Sequence, residues 1–427
     1  MKNVLVVAYA FPPIGGGGVQ RVTKFVKYLR DYSWEPMVLT VANPSVPVID
    51  QAMLDEIPHG ISIFRAGSIE PSYAKKKTRS VSDPGIGIRL IKVLKNILSN
   101  ILLPDVQILW WPGLIFKLIK IIRNEKPDCL FVTAPPFSTF IPVVAIGNIF
   151  KIPVVLDYRD EWSFSRSQLE NASKNRFAKF LDQYLERYVV SKCDAITVAT
   201  QSYLDSLVML YPVNASKVTV ITNGYDEQDF ICGGFNDSSC NTSDITIIYS
   251  GTVWKATSLR TFCDALRLVF QNDDTTAAVL RLKIFGRVVD AELKYLEEFD
   301  SGKSIELLGY VEHKTLIEEF SSGDVLLLVL SDLPGANKII AAKVFEYMAT
   351  GKHIFAILPD GELKKLLSEN YDNVTFAEAG NVDDIARKLL IISENIESIR
   401  KRKGVDISRF SRKELTGQLS KVFDQLI

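Results

Sequence analysis

Short runs rich in Val, Ile and Leu recur along the chain and alternate with segments whose apolar residues return every three or four positions. In the first half the runs predict strands at Val4–Ala8, Pro36–Val41, Cys129–Ala134, Pro153–Tyr158, Ala195–Thr200 and Val218–Thr222. A helix patterned on Val19, Val22, Phe25, Val26 and Leu29 follows the first run, and Lys179–Val190 reads as another. Because the strand runs are continuously apolar rather than alternating, they predict a parallel sheet covered on both faces. The pattern breaks at 230–244, where Gly233, Gly234, Asn236, Asp237, Ser238, Ser239, Asn241 and Ser243 predict a linker. It then restarts, with strands expected at Ile245–Ser250, Leu280–Phe285, Ile305–Leu308, Val325–Leu330, His353–Leu358 and Val374–Ala377. Helical periodicity lies between them at Leu259–Val269, Thr315–Phe320, Lys343–Ala349 and Val382–Ile392.

The expectation is therefore an α/β protein of two doubly wound, Rossmann-like domains, 1–229 and 245–407, facing a central cleft. The segment 408–427 reads as a helix crossing back to the first domain. Ligands of such sheets bind beyond the strand carboxyl ends. That draws attention to the turn after the first strand, where Phe11-Pro12-Pro13 leads into Gly15, Gly16, Gly17 and Gly18 and at once into a helix. Glycine lets a ligand approach the backbone, and the helix start offers N–H groups and a positive dipole end to a phosphate or a sugar. The run has neither the G-x-G-x-x-G spacing of a dinucleotide site nor the Gly-Lys-Ser/Thr of a P-loop.

Composition excludes several classes. The chain has 427 residues, 47% of them hydrophobic, and its 50 basic residues cancel 50 acidic ones, so no nucleic-acid partner is called for. The five cysteines form no C-x-x-C pair and there are three histidines, so no zinc cluster is expected. The first residues enter a strand directly and no apolar run reaches the length of a membrane span, so a cytoplasmic location is expected.

Three segments carry a family resemblance. Phe11-Pro12-Pro13-Ile14-Gly15-Gly16-Gly17-Gly18-Val19-Gln20-Arg21 resembles the N-terminal loop of family 4 retaining glycosyltransferases, and Ile221-Thr222-Asn223-Gly224-Tyr225-Asp226 resembles their Asn-Gly-hydrophobic-Asp signature. Lys343-Val344-Phe345-Glu346-Tyr347-Met348-Ala349-Thr350-Gly351-Lys352 is similar to the donor-site helix of a branch that builds bacterial surface polysaccharides. The resemblance implies a GT-B fold, with the acceptor on the N-terminal domain and a nucleotide sugar mainly on the C-terminal one. It implies no metal or other cofactor.

The implied donor contacts are Glu346 on the ribose hydroxyls, Lys343, Lys255, Gly251 and Arg287 toward the diphosphate, and Tyr310 and Val311 at the nucleobase. The family commonly carries two glutamates separated by seven residues, and where the first should precede the one matched by Glu346, Lys338 stands instead. Lys338 is read as a catalytic cation that stabilises the leaving diphosphate, the alternative being an exposed loop lysine. In the first domain, Asp157-Tyr158-Arg159-Asp160-Glu161-Trp162 ends a strand and resembles the same branch. Arg159 there either pairs with a phosphate or forms an ion pair with Asp157 or Asp160, and Asp160 orients an acceptor hydroxyl or takes its proton. Thr133-Ala134-Pro135-Pro136-Phe137-Ser138 is expected to shape the acceptor side.

The resulting expectation is a glycosyltransferase that moves a sugar from a nucleotide sugar to a cell-surface glycan or lipid-linked acceptor, with retention. The alternatives are a GT-B nucleotide-sugar epimerase and a non-catalytic sugar-binding scaffold. Two basic, apolar segments, Ile88–Leu98 and Phe116–Arg123, are either peripheral contacts with the inner face of the plasma membrane or ordinary packing helices.

Overall fold

The computed structural model describes residues 1–46, 49–71, 102–162, 175–232, 244–272, 279–299, 304–402 and 404–427. The expected helix at Ile88–Leu98 lies outside the described residues, as does 233–243 of the expected linker. The chain divides into two compact units, Met1–Thr222 together with Arg412–Ile427, and Asn223–Ser411.

The first unit is built on a parallel sheet of β1 (Lys2–Val7), β2 (Trp34–Val41), β3 (Ser62–Ala66), β4 (Cys129–Ala134), β5 (Val154–Tyr158), β6 (Ala195–Val198) and β7 (Val218–Val220). Their order across the sheet is β3-β2-β1-β4-β5-β6-β7. The chain thus leaves β1 in one direction and returns to its other side with β4, which makes the β1/β4 edge the switch point of a doubly wound sheet. Alternate residues of β1 explain the two cores. Leu5 and Val7 face a layer holding Leu118, Val143 and Val189, whereas Val4 and Val6 face one holding Val22, Phe25, Leu415 and Leu419. The helix Arg412–Asp424 belongs to this second layer, where Phe423 meets Trp34 at 5.2 Å between ring centroids. An added Cβ at Gly417 would lie 2.7 Å from the Tyr32 ring, so this glycine sets how closely the last helix approaches.

The second unit repeats the plan with β8 (Ile245–Ser250), β9 (Leu280–Phe285), β10 (Ile305–Gly309), β11 (Val325–Val329), β12 (His353–Leu358) and β13 (Val374–Glu378), all parallel. The order β10-β9-β8-β11-β12-β13 puts its switch point at the β8/β11 edge. Helices Arg260–Asn272 and Val382–Glu394 cover one face; His313–Ser322, Lys343–Ala349 and Glu362–Asn370 cover the other.

Three expectations change. The break between units falls at 222/223 and 411/412 rather than at 229/230 and 407/408. Tyr225 N donates to Phe410 O at 3.2 Å, and the Phe410 ring packs at a tilt 5.2 Å from Phe345, which ties both ends of Asn223–Ser411 into the second unit. Residues 230–232, expected in a linker, close the helix Glu227–Cys232, because Phe230 packs edge-on against Tyr225 at 5.9 Å. Strand β3 was not among the expected strands.

Candidate functional site

In the second unit, three consecutive strand ends carry glycines in the left-handed half of φ space: Gly251 after β8 (φ 119°), Gly286 after β9 (φ 119°) and Gly309 closing β10 (φ 69°). Gly251 N donates to Phe285 O at 2.8 Å and Gly286 N to Gly309 O at 2.6 Å, so the turns are stitched side by side along the carboxyl edge. A Cβ on Gly286 would sit 2.3 Å from Gly251 O, which leaves no room for a side chain there. Around Gly251 the edge stays open and exposed.

The helix Lys343–Ala349 clasps the end of β8 from the other side. Lys343 Nζ donates to Ser250 O at 2.8 Å and lies 3.8 Å from the centroid of the Tyr249 ring. Tyr347 Oη accepts from Ser250 N at 3.0 Å. Burial pushes the Lys343 ammonium down to about 7, because a ring and one carbonyl replace only part of its hydration. An anion arriving at Gly251 would supply the missing counter-charge. Three residues further on in the same helix, Glu346 is half-buried, and its Oε1 shares a 2.9 Å hydrogen bond with His313 Nε2. His313 Nδ1 in turn faces Asp229 Oδ2 at 3.8 Å.

The remaining donor-side candidates occupy the same carboxyl edge. Lys255 and Arg287 are exposed on segments joined by a backbone bond from Val253 N to Arg287 O at 2.8 Å. Tyr310 is exposed and Val311 half-buried just beyond Gly309. Lys338 ends the short turn Ala336–Lys338, whose backbone at Asn337 presses on Gly361 so closely that a Cβ there would lie 2.3 Å from Asn337 O.

In the first unit, Gly16 takes φ 103° and ψ 159°, a region open to glycine alone, and starts the helix Gly17–Tyr28 without a side-chain cap. The glycine turn from Gly15 to Gly18 therefore stands at the β1/β4 switch point. Arg159, directly after β5, donates through Nε to Ala134 O at 3.0 Å, through Nη2 to Pro135 O at 2.9 Å and through Nη1 to Gly18 O. These carbonyl bonds stand where the sequence suggested an ion pair with Asp157 or Asp160; the guanidinium fastens the end of β4 to the first turn of the opening helix. Desolvation lowers its pKa, an effect opposed by Asp160 and Asp157, and arginine remains charged regardless. Asp160 itself is exposed.

The partner of Asp157 is Arg21, a pair that sequence reasoning missed. Arg21 Nη2 donates to Asp157 Oδ1 at 2.8 Å and Nε to Oδ2 at 3.1 Å, with both side chains 1% exposed. Thr133 and Thr197 each donate to the same carboxylate at 2.8 Å, and Arg21 Nη1 reaches Thr222 O at 2.7 Å. Burial alone would raise Asp157, but Arg21 and the two hydroxyls outweigh it and hold the carboxyl below the usual range. Trp162 is a core residue, stacked on Phe137 at 5.1 Å. In the segment Phe116–Arg123, Leu118, Ile121 and Ile122 are buried while Phe116, Lys120 and Arg123 are exposed. No described helix is long and apolar enough to cross a membrane.

Two parallel, doubly wound sheets, each with a glycine turn at its switch point, define the architecture of GT-B glycosyltransferases. Solved structures agree across the whole chain. HepE from Anabaena, in complex with UDP, matches with a TM-score of 0.61 at 13% identity, covering 100% of both chains. Sucrose-phosphate synthase from Thermosynechococcus elongatus gives 0.66 at 11%, covering 100% of this chain and 99% of that one. A TarM variant from S. aureus, in complex with fondaparinux, alpha-GlcNAc-glycerol and UDP, gives 0.64 at 12%, covering 99% of this chain and 100% of its own. At these identities the likeness is one of fold. A comparison with curated protein sequences finds no match. The family model described as Glycosyltransferase Family 4 matches residues 15–229, from the glycine turn to the helix that opens the second unit, and the chain belongs to that family.

Proposed function

We propose that the protein transfers a sugar from a nucleotide sugar to a cell-surface glycan or lipid-linked acceptor, with retention of anomeric configuration, at the inner face of the plasma membrane. The observation that carries this reading is the half-desolvated Lys343 ammonium held against Ser250 O beside the open Gly251 turn. A departing nucleoside diphosphate develops negative charge, and a preformed cation next to free backbone at a strand end stabilises it without reorganisation. Glu346, next along the same helix, accepts hydrogen bonds from the ribose, and the backbone near Tyr310 and Val311 meets the base. Lys255, Arg287 and Lys338 add positive charge around the phosphates, so the reading assigns leaving-group stabilisation to side chains rather than to a metal ion.

On the first unit, Gly15 to Gly18 and Asp160 are assigned to the acceptor. Asp160 is the exposed carboxylate at the end of β5 and orients the attacking hydroxyl, while Arg159 holds the glycine turn in shape. UDP-sugars are the first donors to test, since HepE and the TarM variant were solved with UDP. A panel of nucleotide sugars screened by thermal unfolding identifies the donor: a ligand at about one hundred times its Kd raises stability by roughly 2.7 kcal/mol. The donor is then incubated with and without acceptor. Acceptor-dependent nucleotide release supports transfer, epimerised donor without acceptor marks an epimerase, and binding without turnover marks a scaffold.

A further inference from the structure

The helix Arg176–Lys192 of the first unit buries Ala178, Val189 and Val190 in the ordinary way but departs from the usual amphipathic order at its charged and aromatic positions. Its two acids point inward. Asp182 accepts from Trp162 Nε1 at 2.9 Å, and Glu186 accepts from the Tyr211 hydroxyl at 2.7 Å. Of its four aromatic residues, Tyr188 packs on the core and three point outward, with Phe177 70%, Phe180 66% and Tyr184 60% exposed. Spaced three and four apart, these rings form one stripe along the helix. Arg176, Lys179 and Arg187 are exposed among them, so every charge this helix shows to solvent is positive. The next helix of the layer, Phe140–Phe150, shows Ile149, 74% exposed, in its last turn and is followed by exposed Lys151. Beyond it, Trp111–Glu125 shows Phe116, 72% exposed, with Lys120 and Arg123 and one exposed acid, Glu125, at its last position.

Exposed apolar surface on this scale marks an interaction site. Its chemistry selects the occupant. Aromatic rings among lysine and arginine suit the headgroup layer of a bilayer, where rings enter the interface and cations stay with lipid phosphates. A second copy of the chain fits poorly, because a two-fold contact would set Arg176, Lys179 and Arg187 against their own counterparts. We propose that this face docks on an anionic lipid bilayer, with Phe177, Phe180 and Tyr184 entering the headgroup region. The inference rests on the reading that the acceptor is reached at a membrane, and it names the surface that reaches it.

The test is co-sedimentation of the full chain with vesicles of phosphatidylcholine alone or mixed with phosphatidylglycerol. Binding is expected only to the anionic vesicles and falls as salt is raised. The variant Phe177→Ser/Phe180→Ser/Tyr184→Ser should bind at least tenfold more weakly. A second variant, Arg176→Ala/Lys179→Ala/Arg187→Ala, alters only exposed positions and should lose roughly a hundredfold, at about fivefold per basic residue. Nucleotide-sugar affinity, measured on the same preparations, should be unchanged in both. No binding to anionic vesicles, or full binding by both variants, overturns the proposal while leaving the donor site untouched. A concentration-dependent dimer that the aromatic variant abolishes overturns it in favour of self-association.

Discussion

His313 Nε2 lies 2.9 Å from Oε1 of Glu346, and the other ring nitrogen of the same histidine faces Asp229 at 3.8 Å. The imidazole thereby fixes the carboxylate that the donor reading assigns to ribose. His313 is then a positioning residue that acts through Glu346.

Glu346→Gln should weaken nucleotide-sugar binding about tenfold, in line with one charge-assisted hydrogen bond. His313→Ala should weaken it by a similar factor, and His313→Asn should recover part of the loss. In the Glu346→Gln background the histidine change should have little further effect, which calorimetric titration of the double-mutant cycle measures directly. Additive losses would make His313 an independent contributor.

Lys343 predicts a pH dependence. Its folded pKa of about 7 lies below the ordinary lysine value, so the buried charge costs stability at pH below 7, and that cost is relieved as pH rises through 7 toward the ordinary value. A diphosphate beside the amine restores the charge, so donor binding above pH 7 takes up a proton. Affinity for a nucleotide sugar should fall by up to about tenfold per pH unit between roughly pH 7.5 and 9. Lys343→Arg should flatten that slope, since arginine keeps its proton. Titrations in buffers of different ionisation enthalpy report the proton directly.

The Arg21–Asp157 pair is a prediction about stability. Asp157→Ala leaves Arg21 buried without its partner and should cost about 3–5 kcal/mol, read from urea unfolding of the first unit. The carboxyl sits below its usual range, so the contribution is fully present above the ordinary aspartate pKa and is lost as pH falls through the lower folded value. Asp157→Asn should remove that acid-side slope.

Two glycines separate backbone strain from collision. Gly16→Ala meets nothing within 4 Å and should cost only the strain of its φ of 103°, about 1–3 kcal/mol. Gly286→Ala adds to similar strain a Cβ 2.3 Å from Gly251 O, and should also displace the Gly251 turn and abolish donor binding. Thermal unfolding with and without a nucleotide sugar distinguishes the two.

Much of the architecture is legible because its causes are local. Twelve of the strands follow from runs such as Val4–Ala8 and Val325–Leu330, and the glycine turns are visible because glycine marks positive φ at its own position. Strand β3 escapes because Ser62–Ala66 is a short edge strand, exposed at Ser62 and at Arg65, which interrupts its apolar run. Helix Phe140–Phe150 shows little periodicity because most of its faces are buried. The site pairs are a different matter. His313 meets Glu346 across 33 positions and Arg21 meets Asp157 across 136, and no spacing rule reaches that far. Arg159 was legible as chemistry, but the carbonyls of Ala134 and Pro135 that engage it come near only in the fold.

Lys338 stands where the sequence resemblance leads to the expectation of a glutamate, and its role separates an active enzyme from a scaffold. Lys338→Ala should lower kcat for transfer more than it raises KM for the donor, because charge on the leaving diphosphate grows only as the bond breaks. Unchanged kinetics would make it a loop lysine.

The central claim is that the β8 edge of the second unit holds a nucleotide-sugar donor through the Lys343–Glu346 helix. Titrating a panel of UDP-sugars and other nucleotide sugars into the wild-type chain and into Glu346→Gln tests it most directly. The account predicts saturable one-site binding of at least one donor by the wild type, weakened about tenfold in the variant. Equal affinity in the two proteins, or no nucleotide sugar bound by either, would contradict it.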